Sequence, residues 1–71
     1  MAWEIRRELK KKLTGIKFNV RSWGGGWYEV IVKHPTKTVN DCRQALSIRD
    51  MIYEEMASFE ADNEIFLTVT I

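Results

Sequence analysis

Residues 22–29 read SWGGGWYE, three consecutive glycines between two tryptophans. The chain on either side of this run alternates. Ile16, Phe18 and Val20 alternate with Lys17, Asn19 and Arg21 before it; Tyr28, Val30 and Val32 alternate with Trp27, Glu29, Ile31 and Lys33 after it. Period two in both segments predicts two strands, and the glycines between them predict a hairpin with a three-residue loop. Placing Trp23 opposite Trp27 sets Ser22 against Tyr28, Val20 against Val30 and Phe18 against Val32. The apolar set then falls on one side, and Arg21 meets Glu29 on the other as an opposite-charge pair. A slip of one residue would turn every core side chain outward, so the register is strongly specified. A glycine bulge is the one device that would shift the tip locally.

The rest of the chain must cover this hairpin. Ala2, Ile5, Leu9 and Leu13 recur at helical spacing, predicting a first helix that ends at Thr14-Gly15. Glu4 with Arg7 and Glu8 with Lys12 lend it modest surface support. Trp3 stands off its apolar stripe, four residues from Arg7, where a cation–π contact or packing on the sheet edge would hold it. His34-Pro35 closes the second strand because proline cannot donate to a ladder. A second helix is expected from about 40 to 59, capped by Thr38 or Asn40. Its stripe is Cys42, Ala45, Leu46, Ile52, Met56 and Phe59, with Ile48 and Met51 off it. Ser47-Ile-Arg-Asp50 has the form of a capping sequence, so a bend or restart at Ser47 is open. After the Asp62-Asn63 turn, Ile65, Leu67, Val69 and Ile71 point inward from a last strand.

The order is α-β-β-α-β, an α+β fold in a single domain over residues 1–71. Short connections place both helices on one face of a three-stranded sheet. A crossover returning the last strand beside the first predicts an antiparallel sheet in the order 2-1-3. A chain this short buries only about 60% of its unfolded surface, so the core is thin. No apolar run approaches the roughly 20 residues of a membrane span. The N-terminus lacks the apolar core of a secretion signal, and Cys42 is the only cysteine. Together these suit a reducing bacterial cytoplasm.

The side turned away from the helices carries Lys17, Asn19, Arg21, Trp23, Trp27, Glu29, Ile31, Lys33, Phe66, Thr68 and Thr70. Aromatics and Arg anchor protein interfaces, so Trp23, Trp27, Arg21, Lys17, Ile31, Lys33 and Phe66 are the candidate partner-binding residues. The same residue types serve single-stranded nucleic-acid platforms, for which Lys10, Lys11, Lys12, Lys17, Arg21 and Lys33 would meet phosphates. A third reading is structural: two Trp paired across the hairpin would clasp it, adding about 0.5–1.5 kcal/mol beyond burial. The net charge of +1 hides a division, with +6 on residues 1–37 and −5 on residues 38–71. Either the halves neutralise each other in the fold, or a basic face is left for an anionic partner. Self-association is a further route, through the outer edge of the final strand, Ile65–Ile71.

Catalytic residues are not expected. His34 and Cys42, the only imidazole and thiol, flank the Pro35 turn, but nothing marks an orienting group or an oxyanion site. Cys42 reads as a small hydrophobe on the second helix. No zinc or calcium spacing is present, and the glycines lack the context of a phosphate loop, so neither metal nor cofactor is implied.

IRRELKKKLTGIKFNVRS, residues 5–22, resembles the opening of small domains in the large polyvalent proteins of phages and conjugative elements. Those domains start with an Ile-Arg-x-Glu-Leu-Lys helix and continue into a Gly-hydrophobic-Lys-hydrophobic-Ser-Val-Arg strand. Ile5, Arg6, Glu8, Leu9, Lys10, Gly15, Lys17, Phe18, Val20 and Arg21 match, with Asn19 at the Ser position. The resemblance extends through the hairpin; the second half departs from it. It implies an accessory role in a mobile element, with no catalytic residues to carry over. VIVKHPTKT, residues 30–38, also looks like a strand end of toxin mRNA interferases with a double-stranded-RNA-binding-like fold. Their catalytic histidine would fall at Glu29 or Val30, so that chemistry would be missing. The expected function is therefore a small non-enzymatic phage or mobile-element protein that binds another protein, a role that includes inhibiting a host defence system. RNA or single-stranded DNA binding through the open face is the alternative.

Overall fold

The computed structural model describes all residues, Met1–Ile71. Helix α1 spans Ala2–Lys12, strands β1 and β2 span Lys17–Gly24 and Trp27–Lys33, helix α2 spans Val39–Asn63, and strand β3 spans Phe66–Thr70. The α+β class and the element order are as expected. The sheet is not: its order is β1-β2-β3, with β1 and β2 antiparallel but β2 and β3 parallel. A long helix returning from the end of β2 delivers β3 in the direction of β2, wherever in the sheet β3 then sits. Beside β1 it would pair antiparallel, as the 2-1-3 order required. That place is contested, because α1 packs against β1 and Arg6 Nη2 donates to the outward carbonyl of Val20 at 3.0 Å. Beside β2, the Phe66 amide instead donates to the Gly26 carbonyl at 2.8 Å.

The hairpin register matches the alternation at Phe18–Val32, Val20–Val30, Arg21–Glu29 and Ser22–Tyr28. At the tip it departs, because Trp27 pairs with Gly24 and Trp23 becomes the extra residue of a bulge. The turn is accordingly Gly25-Gly26, with φ of 59° and 81°. Positive φ at both central residues is what a tight hairpin turn matching the strand twist requires. A Cβ at Gly26 would also sit 3.3 Å from the Glu64 carbonyl, so the tip is pressed against the start of β3.

The core lies between the helices and one face of the sheet. Ile5, Leu9 and Leu13 from the first helix segment meet Val20, Val30 and Val32 of the hairpin, Ile52 and Met56 of α2, and Ile65, Leu67 and Val69 of the last strand segment. Gly15, with φ of 79°, turns the chain out of the first helix as its position implied. Thr38 caps α2 in a reciprocal arrangement with Asp41, and the helix continues unbroken through Ser47. Its core-facing stripe is buried Ala45, Ile52 and Met56 with half-buried Ile48 and Phe59, an uninterrupted three-and-four spacing. Leu46 and Cys42, expected to face inward, are exposed, whereas Ile48 and Met51 pack against the core.

No helix of the protein is long and apolar enough to cross a membrane.

Candidate functional site

Alternation along three strands leaves one face of the sheet without a covering element. Its glycine-turn end is aromatic. Trp23, Trp27 and Phe66 are 62%, 53% and 55% exposed, large values for side chains of this size. Trp27 does not stack on Trp23. Its ring lies on Phe66, 4.8 Å between centroids and 24° between planes, because the parallel register sets Trp27 opposite Phe66. The clasp across the hairpin expected of two Trp is therefore replaced by a clasp between β2 and β3. Trp23, displaced by the bulge, takes different partners. Its indole N–H donates to Glu29 Oε1 at 3.1 Å, and the Arg21 guanidinium lies 4.8 Å from its ring centroid.

Glu29 sits at the middle of the face and is fully engaged there. Its second oxygen accepts from the Thr70 hydroxyl at 2.7 Å, so one carboxylate ties all three strands together. Arg21 stands opposite it in register but makes no ion pair with it, having turned onto Trp23. Trp23, Trp27, Tyr28, Glu29 and Thr68 line a depression of about 330 Å³ between the two indoles. Ile31, half-buried, lies between Asn19 and Thr70 beyond this aromatic end.

The far end of the face is basic. Lys17 and Lys33 are cross-strand partners there, both exposed. Of the helix lysines grouped with them from the sequence, only Lys10 joins this end. Lys11 approaches Glu8 at 3.6 Å, and Lys12 reaches across to Glu55 at 3.4 Å, so each has an acid beside it and neither lines the groove at this end. Arg6, matched only as part of the polyvalent-protein motif and not expected at the site, belongs with Lys10, Lys17 and Lys33; its position one helical turn before Lys10 is the signal that would have found it. Trp3 stands apart on α1, with Arg7 4.9 Å from its ring centroid, the cation–π contact its spacing implied.

The sheet edges are guarded. On the outer edge of β3, the Leu67 amide donates to Glu60 Oε2 at 3.2 Å and the Val69 amide to the Tyr53 hydroxyl at 3.0 Å. On β1, the Val20 amide donates to Asn19 Oδ1 at 2.9 Å while its carbonyl holds Arg6. Side chains thus occupy mid-strand groups that another strand would need.

His34 and Cys42 do not bond to each other. His34 Nδ1–H donates to the Pro35 carbonyl at 2.8 Å, and the Cys42 thiol, exposed rather than packed, donates to the Thr36 carbonyl at 3.6 Å. No three His, Cys, Asp or Glu side chains converge in a way that could hold a metal ion.

No protein-family model matches the chain, and neither a curated protein nor a solved structure matches it.

Proposed function

We propose that this is a small non-enzymatic accessory protein of a phage or mobile element, and that it acts by binding another protein through the aromatic end of its open sheet face. One observation carries the reading. Trp23, Trp27 and Phe66 are more than half exposed, yet the stack and the indole hydrogen bond already fix their orientations. Rigid aromatics lose little conformational entropy on docking, and they make hot spots where a partner's side chain can fill a pocket between them. The depression between the indoles is such a pocket. The partner that fits is a folded protein offering an apolar side chain to this depression. Inhibition of a host defence protein is one role open to such a binder. The resemblance of residues 5–22 to polyvalent-protein domains supports the mobile-element setting.

The test replaces Trp23 and Trp27 by Ala. Capture of partner protein from a bacterial lysate should fall at least tenfold while the melting temperature drops by only a few degrees. Loss of stability with capture retained would return the two indoles to a purely structural role.

A further inference from the structure

The basic end of the sheet is a second site. Four cations, Arg6, Lys10, Lys17 and Lys33, line one groove of about 740 Å³ between α1 and β1, and no acid lines it. None of the four has a carboxylate within 4.0 Å, unlike Lys11, Lys12 and Arg49. The acidic second half of the chain does not neutralise them, because Lys12–Glu55 is the only ion pair joining the two halves.

The arrangement is unfavourable for the protein alone. Lys17 and Lys33 are directly opposite in the ladder, where like charges repel. Arg6 and Lys10 are four apart on α1, again a like-charge pair on one helix face. The groove is nonetheless held in shape. Arg6 Nη2 donates to the Val20 carbonyl at 3.0 Å and lies 3.4 Å from Asn19 Oδ1, which fixes the guanidinium at the wall. Thr14 and Asn19 add polar groups, and Leu13, Ile16 and Phe18 form the apolar part of the lining.

We propose that this groove binds the phosphate backbone of single-stranded nucleic acid. An extended acidic peptide points successive side chains to opposite sides, so about half its carboxylates would turn away from a one-sided groove. A nucleic-acid strand carries one charge per nucleotide on the backbone itself, and each cation that meets one releases a condensed counterion. The cleft has the volume of a small-ligand site, which suits one strand rather than a duplex. Sequence preference is weak, because no aromatic platform for bases lines the groove beyond half-buried Phe18. This site is independent of the aromatic end.

The test is fluorescence anisotropy with a labelled oligothymidylate of about ten nucleotides, within the site sizes of small single-strand binders. With four phosphate contacts, log affinity should fall against log salt with a slope of about −3, close to a 50-fold loss between about 50 and 200 mM. The triple variant Lys10→Ala, Lys17→Ala, Lys33→Ala should bind at least tenfold more weakly, with the slope reduced to about −1. Its melting temperature should hold or rise, since repulsion is relieved, which separates lost binding from lost folding. Trp27→Ala should bind the oligonucleotide as the parent does. No binding at the lower salt, a slope unchanged in the triple variant, or dependence on Trp27 would overturn the assignment. Polyglutamate bound in place of the oligonucleotide would overturn it as well, transferring the groove to an acidic peptide.

Discussion

The two ends of the open face share the same strands and the same alternation, yet they treat polar groups in opposite ways. At the glycine-turn end, hydrogen-bonding and charged groups are spent inside the protein. Glu29 takes the Trp23 N–H and the Thr70 hydroxyl, Arg21 lies on the Trp23 ring, and what remains exposed is apolar ring surface. At the far end, four cations are left without acids, and the exposed surface is charge. Apolar surface without competing polar groups favours a protein partner, whose docking excludes water. Unpaired cations in a groove favour an anion that arrives with its own counterions. Each end is read by what its neighbours have left free.

The contrast between the two ends is open to test by substitution. The largest effect belongs to Gly26→Ala, which puts a side chain at φ of 81° and 3.3 Å from the Glu64 carbonyl. It should cost about 1–3 kcal/mol. Thermal unfolding should register about 4–8 °C per kcal/mol in a chain this size, and partner capture should fall with the misplaced indoles. A melting temperature equal to the parent's would mean the turn does not constrain the aromatic end.

Removing Tyr53 and Glu60 as edge partners, by Tyr53→Phe with Glu60→Ala, should cost about 1 kcal/mol for each hydrogen bond. It would also free the Leu67 and Val69 amides, extending to β3 the condition of the basic end, where groups are left for a partner. Sedimentation should then show concentration-dependent dimers absent from the parent. A variant that stays monomeric would count against β3 as a route to self-association.

Phe66→Ala removes the ring under Trp27 and should destabilise by about 1 kcal/mol. Its sharper use is in binding: protein capture should weaken while oligonucleotide affinity holds, as read by the same pair of assays.

The smallest change is Lys17→Glu, which turns a repulsive cross-strand pair into an attractive one. Stability should rise by about 0.2–1 kcal/mol as oligonucleotide binding drops. A fall in melting temperature would show that the two lysines do not repel in the free protein.

Much of this arrangement was legible in the residues themselves. The alternation around the glycines set which side chains of both hairpin strands face out, and four register pairs follow from it. The tip was not fixed in the same way, because three glycines permit either a three-residue loop or a bulge with a tighter turn. Lys11 and Lys12 illustrate the limit of grouping by sequence: adjacent to Lys10 in the chain, they project around the helix toward Glu8 and Glu55. On α2, Cys42 and Leu46 could be fitted to a stripe only by assigning Ile48 and Met51 to solvent. Packing against the sheet kept Ala45, Ile52, Met56 and Phe59 inward but rotated the stripe toward Ile48 and Met51 and away from Cys42 and Leu46.

Local residue patterns suffice for the five elements, the sidedness of each strand and the existence of a bare sheet face. These depend on periods of two and of 3.6, which are properties of neighbouring residues. That β3 joins β2, that Phe66 and not Trp23 lies against Trp27, and that Arg6 and Lys10 meet Lys17 and Lys33 in one groove emerge only on folding. Those outcomes compare edges and faces brought together from distant parts of the chain, and no local pattern encodes which of two available edges gains the better contacts.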